Sequence, residues 1–210
     1  MNETRDEAAA AELSAPVAQA AFSLLGRRLA HGDVVLRLTE VEAYGGEGDP
    51  ASHAWRGRTP RNQTMFGPAG VAYVYRSYGL HWCLNVVAEP DGLAAAVLLR
   101  AGQVLEGVTV ATARRASARQ PHELARGPGR LTQALGVDVG QQGADLLRRG
   151  SELQLLPPDP AAGAPAVEDV ACGRRVGVSR AANLPWRFWL RGDPTVSAYR
   201  RSPRAPKPAC

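Results

Sequence analysis

The sequence predicts an α+β fold, a single mixed domain built on a curved, mostly antiparallel β-sheet with flanking helices. Three observations carry that prediction. "DVVLRLTEVEAY", Asp33 to Tyr44, alternates side chains and is rich in β-branched residues, as a strand does. "GVAYVYRSYGLHWCLNVV", Gly70 to Val87, is two alternating runs broken at Arg76, Ser77, Tyr78 and Gly79, the pattern of a strand–turn–strand. A chain of 210 residues with 45% hydrophobic and 21% charged residues has the size and composition of one globular domain.

Each element follows in order. Residues 1–13, acidic and alanine-rich, read as a flexible lead-in, 14–199 as the domain, and 200–210 as a basic, proline-rich flexible tail. Ser14 as N-cap and Pro16 in the first turn open a helix on Val17, Ala21, Leu24 and Leu25, closed by Gly26. In the strand that follows, unbroken alternation would put Val34, Leu36 and Leu38 on one face with Glu40, Glu42 and Tyr44. Gly45 to Gly70 shows no period and is dense in Gly, Pro and polar residues. A loop of that length inside a compact domain points to function, and it carries His53, Trp55, Arg56, Arg58, Arg61, Asn62 and Phe66.

In the aromatic hairpin Val71, Tyr73 and Tyr75 share a face, while Tyr78, beside Gly79, stands at the turn. "AAAVLLRA", Ala94 to Ala101, suits a buried strand ending at Arg100, and "QVLEGVTVATARRA" a helix after it. "RGPGRLTQALGV" is a Gly-Pro-Gly turn into a helix through Leu131 and Leu135, with backbone amides, Arg126 and Arg130 available to a phosphate. "LLRRGSELQLLP" reads as a helix end and a short strand, and Pro157 to Pro165 as a linker. "RRVGVSRAANLPWRFWLRG" reads as two more strands, with Trp186, Phe188 and Leu190 alternating with Arg187, Trp189 and Arg191.

Composition narrows the function classes. No apolar run approaches the ~20 residues of a membrane helix, and the N-terminus lacks the basic start and apolar centre of a secretion signal, which predicts the cytoplasm. The three cysteines, Cys83, Cys172 and Cys210, have neither metal-ligand spacing nor a disulfide framework. A formal charge of +5 favours an anionic partner such as nucleic acid. Lys207 is the one lysine among 25 basic residues, so Schiff-base chemistry would have to run from the proline-rich tail, which is too poor in structure to build a site.

Single residues leave several readings open. On the apolar face of its strand Glu42 would be partly desolvated and suited to act as a general base, but spacing alone does not separate this from a strand end in solvent. His53 reads equally as a surface histidine, and Tyr44, Tyr73 and Tyr75 as core. Arg100, if buried, needs a carboxylate or a ligand.

Taken together, these residues are more specific. Glu42-Ala43-Tyr44, His53 eleven residues after the glutamate, Thr59 to Asn62 with Met65 and Phe66, and Tyr73 to Gly79 followed by Cys83 and Asn85 form one ordered series. Thr39 to Val87 thereby resembles the alkyladenine (3-methyladenine) DNA glycosylases. The likeness continues through "VLLRAGQVLEG", "GPGRLTQALG" and "RVGVSRAANLPWRFWLRGDPTVS" and spans nearly all of the chain after residue 14. His81 and Trp82 depart from the pattern, standing where tyrosine or phenylalanine is frequent, and Gly67 leaves one residue fewer before the hairpin than in some relatives.

The resemblance implies a monofunctional DNA glycosylase. Such an enzyme flips alkylated, and in some cases deaminated, purines out of duplex DNA and cuts the N-glycosidic bond with an activated water, leaving an abasic site. By that likeness Glu42 is the general base, and Arg100 and the Val176 main-chain carbonyl hold the water. Tyr44, His53, Tyr75 and Asn85 form the base pocket, and Tyr78 fills the gap left in the duplex. Arg61, Arg126 and Arg130 are candidates for the DNA backbone. The resemblance further implies a monomer acting on double-stranded DNA near the nucleoid, with no metal, cofactor or membrane. Two other classes compete: an idle nucleic-acid-binding module, and a nucleoside or RNA hydrolase using the same carboxylate without a wedge.

Overall fold

The computed structural model describes residues 4–207; residues 1–3 and 208–210, including Cys210 and the ends of the expected lead-in and tail, lie outside the described residues. In chain order the elements are α1 (Glu7–Leu13), α2 (Val17–Leu24), β1 (Arg27–His31), β2 (Val34–Tyr44), β3 (Ala72–Ser77), β4 (His81–Val87) and β5 (Ala96–Glu106). They continue with α3 (Val108–Arg114), β6 (Ala125–Arg126), α4 (Pro128–Leu135), β7 (Leu153–Pro158), β8 (Val170–Gly173) and β9 (Arg187–Leu190). Among the described residues the strands form one nine-stranded sheet in the order β3-β4-β5-β2-β1-β7, with β6 on β5, β9 on β2 and β8 on β9. Every pairing is antiparallel, so the fold is α+β.

The helices cover one face. Leu13 of α1, Val17, Ala20, Ala21 and Leu24 of α2, and Leu131, Ala134 and Leu135 of α4 pack on Leu36, Leu38, Leu84, Val86, Val97 and Leu99 in a single core. The i, i+3, i+4, i+7 spacing of α2 explains why it lies flat on the sheet. A smaller cluster lies on the other face, where Ala54 and Met65 of the long loop close over Tyr73, Val87 and Ala96.

Several expectations are corrected. Residues 7–13 are not a frayed lead-in but a helix, because Asp6 caps it (Ala9 N–H to Oδ1, 3.0 Å) and docks it (Asp6 N–H to the Leu147 carbonyl, 2.9 Å). Ser14 is the C-cap of that helix, and Pro16 is the N-cap of α2. The β5 strand runs through Glu106, so the following helix starts only at Val108; pairing with β2 overrides the helical spacing of residues 103–106. Residues 144–151 are turns rather than a helix end, and the second of the two strands expected within 174–192 is β9 alone, its partner β8 lying earlier, at Val170–Gly173.

The most consequential correction concerns β2. Leu38 pairs with Gly102, Glu40 with Ala101 and Val41 with Leu99, so Thr39 is left over on β2 and Arg100 on β5. A bulge of this kind re-aims side chains, because alternation restarts one residue out of phase. Before it, Val34, Leu36 and Leu38 face the helices; after it, Val41 and Ala43 do. Glu40, Glu42 and Tyr44 therefore project from the opposite face, not from the face of the valine and leucines. The strands close tightly here because Gly102 has no β-carbon: one built there would stand 2.6 Å from Leu36 Cδ1 and 2.7 Å from the Arg37 carbonyl oxygen.

Because α1 contributes Leu13 to the core, Leu13→Ala is expected to cost about 2–5 kcal/mol in urea unfolding. A loss under about 0.5 kcal/mol, usual for surface substitutions, would mean that the helix is not part of the cooperative unit.

Candidate active site

On the face away from the helices the sheet lines up one transverse row. Register pairs Tyr73 with Asn85, Asn85 with Leu98, and Leu98 with Glu42, so four neighbouring strands deliver these side chains side by side. Above the row opens a cavity of about 660 Å³, walled by Tyr44, His53, Tyr73, Tyr75, Asn85 and Arg100 and also lined by the 176–180 segment.

Glu42 is fully buried and lies one layer beneath that wall. Its Oε1 accepts the Val176 N–H at 2.6 Å, and its Oε2 accepts the Tyr44 hydroxyl at 2.8 Å and Arg100 Nη1 at 3.2 Å. All three donors line the cavity. The main-chain group of Val176 that meets the carboxylate is thus the N–H. Burial works against the Arg100 charge, but Glu42 and Glu40 outweigh it and raise its pKa. Burial, with the Glu42 charge beside it, likewise pushes the Tyr44 phenol well up, so it serves Glu42 as a neutral donor.

Behind these residues lies a group that sequence reasoning did not single out. Glu40 Oε1 accepts Arg100 Nε at 2.7 Å, Arg187 Nε at 2.7 Å and the Ser197 hydroxyl at 2.9 Å, and its Oε2 accepts the Ser197 N–H at 2.7 Å. Burial pushes the Glu40 carboxyl upward, but the Arg100 and Arg187 guanidiniums and the Ser197 donors outweigh it and hold it below the usual glutamate range. Asp49 was missed too. It grips the fully buried Arg175 through Nη1 at 2.5 Å and Nη2 at 2.9 Å, while Arg175 donates to the Ala43 carbonyl and lies 4.7 Å from the centre of the Tyr44 ring. The sequence signal for Glu40 was charge inside apolar runs, acids in "TEVEAY" and arginines in "WRFWLRG"; Asp49, in a loop, carries no such signal.

His53 stands exposed at the cavity rim, fixed by a 3.0 Å contact of Nδ1 with the Tyr73 hydroxyl and an edge contact on the Tyr75 ring at 4.6 Å. Desolvation, with the Arg61 charge, lowers its pKa, and burial pushes Tyr73 up to about 12. The loop that carries His53 is held by the buried Asn62, whose amide donates to the His53 and Gly57 carbonyls. Asn85 donates to the Tyr73 carbonyl at 3.0 Å and is buried in the wall. Arg61 is exposed on the cavity wall; Arg126 is half-buried and donates to the Val196 carbonyl; Arg130 is exposed at the start of α4.

Tyr78 is 91% exposed at the tip between β3 and β4, and the neighbouring Leu80 is 78% exposed. Its φ of +48° and the +69° of Gly79 make a left-handed pair, with the Leu80 N–H returning to the Ser77 carbonyl at 2.9 Å. Glycine or asparagine suits such a turn, whereas tyrosine is strained there by roughly 1–2 kcal/mol. A large ring held in a strained backbone and packed on nothing is a feature that function, not stability, explains.

Among the described residues no group of three or more His, Cys, Asp or Glu side chains could hold a metal ion, and no helix is long and apolar enough to cross a membrane. Residues 11–194 match the family model described as methylpurine-DNA glycosylase. A protein of Nocardia farcinica is 54% identical over 192 residues, 89% of each chain, and one of Streptomyces avermitilis is 51% identical over 192 residues, 88% of each chain. One of Mycobacterium tuberculosis is 48% identical over 202 residues, 94% of this chain and 96% of that one. All three are provisionally named 3-methyladenine DNA glycosylase.

Relief of strain predicts that Tyr78→Asn stabilises the free protein by about 1 kcal/mol. Thermal unfolding measures it, and a destabilised variant would show that the ring is held by packing after all.

Proposed function

The chain belongs to the methylpurine-DNA glycosylase family, and from that premise we propose that it hydrolyses the N-glycosidic bond of alkylated purines in duplex DNA, leaving an abasic site. The observation that carries this reading is the placement of Glu42 under an aromatic cavity, its carboxylate oriented by three donors that themselves form the wall. Glu42 takes a proton from a water, the water oxygen attacks the sugar C1′, and the bonding pair of the glycosidic bond leaves with the purine nitrogen. A purine carrying a formal positive charge departs neutral, so the first demand on the site is to select the base and deliver water. The Val176 carbonyl and Arg100 help to hold that water.

A duplex hides the bond in its stack, so the nucleotide must turn out. Tyr78 enters the gap as a wedge, while Tyr44, Tyr75 and His53 receive the base; stacking on such rings contributes roughly 1–3 kcal/mol, and a cationic base gains from the ring faces. Asn85 crowds bases that carry an extra amino group. Deaminated purines carry no positive charge and depart as anions unless protonated, so they would use the same pocket more slowly. Arg61 at the rim, and Arg126 and Arg130 with the free amides at the start of α4, meet the phosphate backbone. The protein works as a monomer in the cytoplasm, where its DNA is.

Glu42→Gln is expected to slow release of 3-methyladenine from methylated duplex DNA by about 10²-fold or more under single-turnover conditions, while abasic-site duplex is still bound. Activity on free nucleosides, or undiminished release by the variant, would refute the reading. Phosphate contacts by arginine also predict that duplex affinity falls about tenfold or more between ~50 and ~200 mM salt in a titration, where a flat response would rule out a DNA-tracking surface.

A further inference from the structure

We infer that Glu40 is a positioning residue for this hydrolysis: by holding Arg100 at Nε it fixes which nitrogen reaches Glu42, and so leaves Glu42 a one-pronged, long ion pair with Arg100 instead of a two-pronged one. The inference rests on the reading of Glu42 as general base. Glu40 is not itself part of the cavity wall, and the wall residue it holds is Arg100, through which it acts.

Arginine beside a lone carboxylate normally closes a two-pronged fork with two parallel hydrogen bonds. Here that fork is prevented. Nε is taken by Glu40 at 2.7 Å and Nη2 faces the Ser197 hydroxyl at 3.3 Å, which leaves Nη1 for Glu42 at 3.2 Å. Glu42 thereby keeps lone-pair capacity for a water. Arg187 completes the arrangement: its Nε on Glu40 supplies a second positive charge, and its Nη2 on the Ser197 carbonyl at 2.6 Å fixes the segment whose hydroxyl and amide also hold Glu40. Two buried carboxylates and two buried guanidiniums are costly to keep out of water, and apolar residues of similar volume are often as stable or more so. What the apolar alternative would lack is the orientation of Arg100. The leftover residues Thr39 and Arg100 make the arrangement possible, because the bulge brings Glu40 and Glu42 to the same face as the guanidinium.

The test is single-turnover release of 3-methyladenine by E40Q and by the charge-balanced double variant E40Q/R187Q, which removes one charge of each sign so that no unpaired guanidinium is left if E40Q alone is unstable. Both are expected to lose on the order of 10²-fold in rate, the size of a small misplacement of a reacting group, with abasic-site duplex affinity within about threefold of wild type. Wild-type rates in E40Q/R187Q would overturn the inference, as would parallel losses of rate and affinity, which mark a merely structural role. Glu42→Gln run alongside separates the two readings. If it is inactive while E40Q/R187Q is active, only the positioning role fails; if it works at the wild-type rate, the general-base reading fails and the positioning role with it.

Discussion

The paired slip of β2 against β5 is the constraint on which the site depends. A sheet assigns each side chain to a face by simple alternation, and a strand whose first half points leucines at helices would point its second half there too. One leftover residue on each strand reverses that assignment without losing the register on either side. Hydrophobic residues therefore stay against the helices at both ends of β2, while Glu40, Glu42 and Tyr44 emerge beside Arg100 on the face that carries Tyr73, Tyr75 and Asn85. Without the slip the acids would face the apolar core, where no guanidinium waits for them.

Much of this was legible in the sequence, and what escaped has a physical reason. β2 and the aromatic hairpin could be read because a strand's period is local, and the exposed tyrosine because Tyr78-Gly79 interrupts it. The face of Glu42 could not, since a bulge arises from two strands together and leaves no mark on one. The first helix was hidden because seven residues are too few to be helical alone; it exists by docking Asp6 and Leu13 against distant chain. The Asp49–Arg175 pair is 126 positions apart in sequence, and only the fold reveals that the two loops meet.

The long loop and the tip divide their labour. The loop is pinned from inside by Asn62 and from below by Met65, so its histidine is rigid against the tyrosines although the loop's one helix is the single 3-10 turn Gln63–Phe66. The tip is the reverse, a regular hairpin that ends in a strained and unpacked ring. Rigid walls suit a pocket that must tell one base from another, and an unpartnered ring suits an element whose partner is absent from the free protein.

Beyond Arg100, the partners of the site's buried acids come late. Glu40 waits for donors 147 and 157 positions downstream, and Asp49 for a guanidinium 126 positions away. During synthesis Arg100 reaches Glu40 and Glu42 early, but the ribosome must deliver almost the entire polypeptide before Arg187 and Ser197 complete the shell around Glu40, although the hairpin can form long before. A message truncated in its last sixth would thus keep Arg100 on both β2 acids but strip Glu40 of Arg187 and Ser197 and Glu42 of the Val176 N–H, yielding a species for quality-control proteases rather than a half-active enzyme.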